Sequence, residues 1–322
     1  MHITIWLNNT VSCWDFSDEN LTYLQNKLPQ ATITVCHSEI EFIKALPQTA
    51  IALTWIFKQQ WFAITESLRE IFTPAAGRDY FSINPPEQVK VRYGSFHGEL
   101  MAETVLAMLL ASCRGIIAAA RSTELWSKTE LSQTMRPLRG AHLTILGFGA
   151  IGEWIARLAK PFGVKITGVK RHISPQPSYF DYHDSIITVD RLNEILPTTD
   201  HLVLALPRSS TSDLIINQQR LALLPANAVI YNVGRGNAID ELALATALGN
   251  GQLAGACLDV FATEPLPANS PLRQAPNILL TPHTSAISPN YLKLFIDEFI
   301  LTLKQSTVEI ADVTRTYNKG EI

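Results

Sequence analysis

The stretch "LTILGFGAIGEWIARLAKPFG", residues 143–163, decides the fold of this chain. In it, Gly147, Gly149 and Gly152 follow an apolar strand, open an amphipathic helix, and precede a second strand near Lys165. In such a unit the first glycine forms a tight turn, the second lets a pyrophosphate approach the backbone, and the third allows close helix packing. The free N–H groups of the helix N-terminus then attract the anion. The pattern predicts a dinucleotide site, although a methyltransferase places glycines in a similar turn.

The end of the second strand bears on the choice of dinucleotide. A unit that binds NAD usually presents Asp or Glu to the adenosine ribose about 20 residues beyond the first glycines. Here the chain reads "ITGVKRHIS", so Lys170 and Arg171 stand in that region. A guanidinium can clamp a phosphate with two charge-assisted hydrogen bonds, whereas an acid would repel it. We therefore predict a preference for NADP(H), with NAD(H) as the second option and a solvated basic turn as the alternative reading.

Two series of alternating strands and helices surround this unit, which predicts parallel sheets covered by helices. The first series has strand-like runs at "ITIWL", "TITVC", "AIALTW" and "IFTPAAG", with helices predicted over 17–28, 38–46 and 60–70. The second has strand-like runs at "LTILG", "KITGV", "HLVLAL", "AVIYNV", "GACLDV" and "NILLTP". A long apolar helix over 98–120 links the two series, and Asp240 is placed to cap a helix that ends near Gly249 or Gly251.

Composition excludes several classes of function. The 322 residues are 47% hydrophobic and 17% charged, which fits two globular domains. A net charge of -3 and a pI near 6.2 provide no basic surface for nucleic acid. The start of the chain lacks the pattern of a signal peptide, and no apolar run reaches the length of a membrane helix. Four scattered cysteines, without metal-ligand spacing, predict reduced thiols, a cytoplasmic protein and no metal site.

Three polar segments follow predicted strands of the second series: "NVGRG", "LDVFATEP" and "TPHTSA". Loops after parallel strands gather at one edge of a sheet, where ligands bind. Arg235, Asp259, Glu264 and His283 are therefore predicted to converge there, although some fifty residues separate the first from the last.

In these segments the sequence resembles the D-isomer-specific 2-hydroxyacid dehydrogenases. The resemblance rests on "GFGAIG", "NVGRGNAIDELALATAL", "LAGACLDVFATEPLP", "SPLRQAPNILLTPH" and, more weakly, "TPAAGRD". It implies that Arg235 is the catalytic arginine, Glu264 the catalytic acid, and His283 the histidine that exchanges the proton. It also implies that Ala76 and Gly77 bind the substrate carboxylate with their N–H groups, together with the side chain of Arg235. The departure from the family pattern is at Lys170, where many members carry aspartate.

The predicted cofactor contacts combine the glycine-rich turn with positions implied by the resemblance, among which Asp259 would lie at the nicotinamide side. They are Gly147, Gly149, Ala150, Ile151, Gly152, Lys170, Arg171, Leu206, Pro207, Val233, Gly234, Asp259 and Ser285.

The implied fold is α/β, with a Rossmann-type dinucleotide-binding domain over 99–288. A smaller, flavodoxin-like substrate domain is discontinuous in sequence and comprises 1–98 and 289–322. A final helix predicted over 290–304 would return the chain to that domain. Similarity to the family also implies a homodimer.

The residue types suit the reduction of a 2-keto acid. Hydride arriving at the carbonyl carbon builds negative charge on the oxygen, which must receive a proton, and histidine exchanges protons near neutral pH. Glu264 would orient the His283 ring and stabilise imidazolium, while Arg235 would hold the substrate through its planar fork. Gly234 and Gly236 are predicted to let the backbone pass close to the cofactor.

The function predicted from the sequence is thus the NADPH-dependent reduction of a small 2-keto acid, such as glyoxylate or hydroxypyruvate, to a D-2-hydroxy acid. Two alternatives stay open: an NAD-using enzyme similar to phosphoglycerate dehydrogenase, and a dinucleotide-sensing protein similar to a corepressor.

Overall fold

The computed structural model describes residues 1–77, 81–121 and 127–317, through which strands and helices alternate. The strands are β1 (His2–Trp6), β2 (Thr32–Val35), β3 (Ile51–Thr54), β4 (Glu70–Thr73), β5 (Lys90–Tyr93), β6 (His142–Leu146), β7 (Lys165–Lys170), β8 (Ser185–Thr188), β9 (His201–Leu204), β10 (Val229–Asn232), β11 (Gly255–Leu258) and β12 (Ile278–Leu280). The α-helices are α1 (Asp18–Lys27), α2 (Glu39–Ala45), α3 (His97–Cys113), α4 (Ile116–Arg121), α5 (Lys128–Thr134), α6 (Ala150–Ala159), α7 (Leu192–Ile195), α8 (Gln218–Leu221), α9 (Glu241–Gly249) and α10 (Tyr291–Tyr317).

The chain divides into two compact units. The first comprises Met1–Phe96 with Ile287–Ile322, and the second comprises His97–Ala286. The domain boundaries at 98/99 and 288/289 stay predictions, because a division by contacts does not show that each part folds alone. Across the described residues, no helix combines the length and apolar character needed to cross a bilayer.

In the first unit, the described strands form a parallel sheet in the order β2-β1-β3-β4-β5. This is the strand order of flavodoxin-like folds, as predicted. The central strands are buried on both faces of the sheet, with Ile3, Thr4 and Leu53 each at 0% exposure. Helix α10 belongs to this unit, and its Phe299 ring lies 4.7 Å from the ring of Phe72 in β4.

In the second unit, the described strands form a parallel sheet in the order β8-β7-β6-β9-β10-β11-β12. Counted from β6 in chain order, this is the Rossmann order 3-2-1-4-5-6 with one further strand, so the predicted fold class is confirmed. The order reverses between β6 and β9, and the crevice beyond the carboxyl ends of those strands is where such sheets bind ligands.

One helix prediction was wrong, and two strands of the structure were not predicted. The helix predicted over 60–70 is a short 3-10 helix, Gln59–Ile64, and β4 begins at Glu70. Trp61 there packs its ring against Phe57 at 5.3 Å, so aromatic packing outweighs the helical pattern. Strands β5 and β8 were not predicted, because both are short, partly exposed edge strands with little apolar signal.

The long helix predicted over 98–120 is interrupted. Helix α3 ends at Cys113, Gly115 adopts a left-handed conformation with φ 65°, and α4 begins at Ile116. The buried face of α3 packs on α6 within the second unit, where a Cβ at Gly98 would lie 2.3 Å from Cδ1 of Trp154.

Candidate active site

The glycine-rich turn follows β6 and is tied to the end of β7. The N–H groups of Gly147 and Phe148 donate to the carbonyl oxygen of Val169 at 3.1 and 3.0 Å. Gly147 has φ 100°, and a Cβ there would lie 2.6 Å from the carbonyl oxygen of Ala205, so both conformation and space require glycine. A Cβ at Gly152 would lie 2.5 Å from the carbonyl oxygen of Gly147, so this glycine lets α6 pack on the turn.

The middle glycine differs from the other two. A Cβ built at Gly149 would meet nothing within 4 Å in the described residues. Gly149 is also the N-cap of α6 and provides no side chain to bond the first N–H groups of that helix, which come from Ala150 and Ile151. Open space beside unsatisfied N–H groups at a helix start fits an anion, so these residues fit the pyrophosphate of a dinucleotide.

The basic pair at the end of β7 consists of two differently placed side chains. The Lys170 ammonium donates to Oγ of Ser174 at 3.0 Å and lies 3.6 Å from a carboxylate oxygen of Glu153 on α6. Arg171 follows the strand, and its residue is exposed. Arg171 is therefore the better placed of the two to meet a ligand, because Lys170 already has partners in the protein.

The segment that follows β9 lies against both the glycine-rich turn and the turn after β10. A Cβ at Gly147 would lie 3.1 Å from the N–H nitrogen of Leu206, and one at Gly234 would lie 2.6 Å from both the nitrogen and the carbonyl oxygen of Leu206. Val233 is buried and donates its N–H to the carbonyl oxygen of Leu204. The predicted contacts Leu206, with Pro207 after it, and Gly234 thus sit beside the proposed pyrophosphate site.

The turn that carries Arg235 is closely packed by neighbouring backbone. A Cβ at Gly236 would lie 1.8 Å from the carbonyl carbon of Phe261, and one at Gly234 would meet the backbone of Leu206. Both positions lack room for a side chain because neighbouring backbone segments pack on them, and the approach of this backbone to the cofactor stays a prediction. Arg235 is half-buried, with extended backbone (φ -144°) and a bond from its guanidinium to the carbonyl oxygen of Gly234 at 2.9 Å.

Asn232 braces this turn, and sequence reasoning missed it. It is buried at 1% exposure at the end of β10. Its amide nitrogen donates to the carbonyl oxygen of Arg235 at 3.0 Å, and its amide oxygen accepts from the N–H of Gly234 at 3.1 Å. A polar residue that ends an apolar strand was the available signal.

Glu264 and His283 form a hydrogen-bonded pair. One carboxylate oxygen of Glu264 lies 2.8 Å from Nδ1 of His283, and the other accepts the N–H of Phe261 at 2.9 Å. The carboxylate is therefore anchored on one side and orients the imidazole on the other. His283 has φ 54°, a left-handed conformation that is uncommon for residues other than glycine and that often occurs at functional sites. Its side chain is 40% exposed, so Nε2 is the ring nitrogen that could face a substrate.

Asp259 holds the loop that carries His283. Its carboxylate is fully buried and accepts hydrogen bonds from Oγ1 of Thr281 at 2.6 Å and from the N–H groups of Thr284 and Ser285 at 2.8 and 2.9 Å. Its carbonyl oxygen accepts the N–H of His283 at 2.8 Å. The contact of Asp259 with the nicotinamide side stays a prediction, since the structure engages both carboxylate oxygens in this loop.

The remaining predicted site residues occupy the following places. Ser285 is buried, and its carbonyl oxygen accepts the hydroxyl of Thr104 at 2.9 Å. Ala76 is exposed and Gly77 is buried in the loop after β4, within the first unit, and their contact with a substrate carboxylate stays a prediction. In the ranges 1–77, 81–121 and 127–317, no cluster of three His, Cys, Asp or Glu side chains is arranged to hold a metal ion.

A cavity of about 540 Å³ borders the Glu264–His283 pair within the second unit. Phe261, Leu266 and Arg273 also line it. The guanidinium of Arg273 donates to the carbonyl oxygens of Leu266 and Pro267, so its bonds stabilise the cavity wall.

Comparison with known proteins shows which family has this arrangement. Residues 106–285 match the family described as "D-isomer specific 2-hydroxyacid dehydrogenase, NAD binding domain". The chain is 30% identical over 255 residues to a protein named glyoxylate reductase from Pyrococcus furiosus, covering 76% of this chain and 74% of that protein. It is 34% identical over 188 residues to a D-3-phosphoglycerate dehydrogenase from Methanocaldococcus jannaschii, which covers 58% of this chain but only 35% of that longer protein.

A solved structure extends the similarity to nearly the whole chain. The D-isomer specific 2-hydroxyacid dehydrogenase from Xanthobacter autotrophicus Py2, in complex with NADPH and MES, superposes with a TM-score of 0.77 at 27% identity. The superposition covers 95% of each chain. The motifs from the glycine-rich turn to His283 fall within residues 106–285, which match the family. The chain therefore belongs to the D-isomer specific 2-hydroxyacid dehydrogenase family, a family of NAD(P)-dependent oxidoreductases.

Proposed function

We propose that this protein uses NADPH to reduce a small 2-keto acid, of the size of glyoxylate or hydroxypyruvate, to the D-2-hydroxy acid. The observation that carries the proposal is the 2.8 Å hydrogen bond between Glu264 and Nδ1 of His283. A carboxylate on one ring nitrogen stabilises imidazolium and leaves the other nitrogen to donate a proton. The name of the Pyrococcus furiosus relative, glyoxylate reductase, supports this substrate class.

Each side chain would have a separate role in the reaction. The nicotinamide supplies hydride when it is bound. His283 donates a proton from Nε2 to the carbonyl oxygen as negative charge develops there, while Glu264 holds the ring from the Nδ1 side. Arg235 binds the substrate carboxylate and carbonyl oxygen through its planar fork, and the Asn232 bonds fix the turn from which it projects. Ala76 and Gly77 would add N–H donors to the carboxylate.

The preference for NADPH rests on the end of β7. No acidic side chain follows this strand directly, and the exposed Arg171 is available to meet a 2′-phosphate. The relative from Xanthobacter autotrophicus Py2 was solved with NADPH, which supports the same preference here. That the protein forms a homodimer, as the family resemblance implies, also stays a proposal.

A second candidate is the oxidation of a phosphorylated 2-hydroxy acid with NAD. The 34% identity to the Methanocaldococcus jannaschii D-3-phosphoglycerate dehydrogenase favours it, although that match covers only 35% of the relative. A substrate phosphate needs cationic partners, so this candidate requires a basic side chain near the substrate in addition to Arg235.

The test is a panel of 2-keto acids assayed for reduction with NADPH and with NADH, together with oxidation of 3-phosphoglycerate with NAD. We expect turnover of a two- or three-carbon keto acid with NADPH and weaker turnover with NADH. Equal efficiency with both cofactors would refute the cofactor preference. Phosphoglycerate oxidation alone would favour the second candidate, and tight NADPH binding without any turnover would favour a dinucleotide sensor.

A further inference from the structure

We propose that Glu241 is a positioning residue for the reaction: it holds the turn that carries Glu264 and thereby sets how Glu264 engages His283. This inference rests on the proposed function, because it concerns the same acid–base pair. It assigns a role to a residue of the "RGNAIDE" segment that lies outside the predicted catalytic, substrate and cofactor sets.

Two adjacent hydrogen bonds anchor the turn that carries Glu264. Glu241 is the first residue of α9, and its Oε1 accepts the N–H of Ala262 at 2.7 Å. The preceding N–H, from Phe261, donates to Oε1 of Glu264 at 2.9 Å. Two successive N–H groups of one turn are thus each held by a carboxylate. Removal of Glu241 would free one of these anchors and allow the Phe261–Glu264 segment to move relative to His283.

The turn that precedes α9 packs closely on the same segment. A Cβ at Gly236 would lie 1.8 Å from the carbonyl carbon of Phe261 and 2.3 Å from the nitrogen of Ala262. The peptide between Phe261 and Ala262 is therefore packed on Gly236 and bonded to Glu241. Because Arg235 is adjacent to Gly236, these contacts connect the arginine turn to the carboxylate turn.

Glu241 also interacts electrostatically with Glu264. The pKa of Glu241 is raised overall. Burial is the main cause, the hydrogen bond from the N–H of Ala262 opposes it, and the negative charge of Glu264 raises the pKa further. A Coulombic effect of Glu264 on Glu241 indicates that the two carboxylates are neighbours. In its ionised form, Glu241 thus adds a second negative charge near the carboxylate of Glu264.

Two arginines lie on elements that pack against α9, and both donate hydrogen bonds to groups other than Glu241. The 3-10 helix Pro271–Gln274 carries Arg273, which donates to the carbonyl oxygens of Leu266 and Pro267. Helix α8 carries Arg220, which donates to the carbonyl oxygen of Ile215 and to Asn193. Asp240, beside Glu241, caps α9 by accepting the N–H of Ala243.

The test compares Glu241→Gln, Glu241→Ala and a matched control, Asp240→Asn. Glutamine keeps an oxygen for the Ala262 N–H but removes the charge, whereas alanine removes both. The control removes one charge from the adjacent residue and keeps the helix cap, because Asn caps as well as Asp. The measurement is the pH dependence of kcat for keto-acid reduction with NADPH.

We expect the alkaline limb of the profile to move to lower pH by roughly half a unit in Glu241→Gln, because imidazolium loses a nearby negative charge. In Glu241→Ala, kcat should also fall about tenfold through misplacement of Glu264, while KM for the keto acid changes less than about twofold. Asp240→Asn should keep the wild-type profile. An unmoved profile in Glu241→Gln, or an equal displacement in Asp240→Asn, would overturn the inference.

A readout independent of turnover separates this inference from the proposed function. Amide hydrogen exchange should accelerate at Ala262 in Glu241→Ala and stay near the wild-type rate in Asp240→Asn. If the wild-type protein turns over no keto acid, the proposed function fails, and unchanged exchange at Ala262 would overturn the placement of Glu241 as well. If Glu241→Ala does not fold, the Glu241→Gln profile decides.

Discussion

Two glycine-flanked turns follow parallel strands of the same sheet, and their glycines serve different purposes. In the turn after β6, a Cβ at Gly149 would enter open space. In the turn after β10, Cβ atoms at Gly234 and Gly236 would enter neighbouring backbone. Glycine therefore leaves open space at Gly149 in the first turn, whereas at Gly234 and Gly236 in the second it allows chain segments to pack. In the second turn, the side chain proposed to bind the substrate is that of Arg235, which lies between the glycines.

Strand order explains the difference. The turn after β6 lies where the sheet reverses its order, between β6 and β9, and the connections on the two sides diverge to leave a crevice. Strand β10 lies between β9 and β11, away from this reversal. The segments after those neighbouring strands, at Leu206 and at Phe261, pack against the Arg235 turn from both sides.

The largest expected effect is on stability at the second turn. Gly236→Ala places a Cβ 1.8 Å from the carbonyl carbon of Phe261, so backbone must move. We expect the free energy of unfolding to fall by about 3 kcal/mol, measured by urea denaturation. The control is Gly249→Ala, at the end of α9, where a Cβ meets nothing within 4 Å of the described structure and stability should not fall. If Gly236→Ala were as stable as the wild-type protein, the packing of the Phe261 segment would not require glycine at this position.

The next effect concerns the side chain that the second turn presents. Arg235→Lys keeps the charge but loses the planar fork, so kcat/KM for keto-acid reduction should fall about a hundredfold. The free energy of unfolding should change by less than about 0.5 kcal/mol, because the side chain is not in the core. Full activity in this variant would contradict bidentate binding of the substrate.

The first turn should respond in the opposite way. Gly149→Ala adds a methyl group to open space, so unfolding should be unaffected, while the Kd for NADPH should rise about tenfold through a clash with the pyrophosphate. Isothermal titration calorimetry measures the affinity. Gly152→Ala is the matched comparison, because its Cβ would lie 2.5 Å from the carbonyl oxygen of Gly147 and should destabilise the fold itself. Unchanged NADPH affinity in Gly149→Ala would show that the space serves another purpose.

The smallest effect concerns the strand end that supports the first turn. Arg171→Ala should lower the ratio of kcat/KM with NADPH to that with NADH about fivefold, because one exposed guanidinium near the 2′-phosphate is lost. Lys170→Ala should alter the ratio less, since its ammonium is shared with Glu153 and Ser174. Steady-state kinetics with both cofactors measures the ratio. The reverse order of effects would assign the phosphate to Lys170.

Most of the architecture could be predicted because it follows from local patterns. The apolar strands, the turn at Gly147 and the cap at Asp240 depend on residues close together in the chain, and the structure has each of them. The helix predicted over 60–70 failed where Trp61 packs into an aromatic cluster formed by distant residues. Strands β5 and β8 were missed because their pairing partners, rather than their own composition, make them strands.

By itself, the sequence determined the α/β class and the glycine-rich turn, and it predicted the set of Arg235, Glu264 and His283, of which Glu264 and His283 are hydrogen-bonded to each other. Only the tertiary structure decided that Asp259 bonds the loop of His283, that Asn232 braces Arg235, and that Glu241 holds the turn of Glu264. The physical reason is how far apart in the sequence the contacting residues lie. A turn or a helix start is specified by neighbouring residues, whereas contacts between loops depend on the order in which the strands pair, and that order brings together residues far apart in the chain.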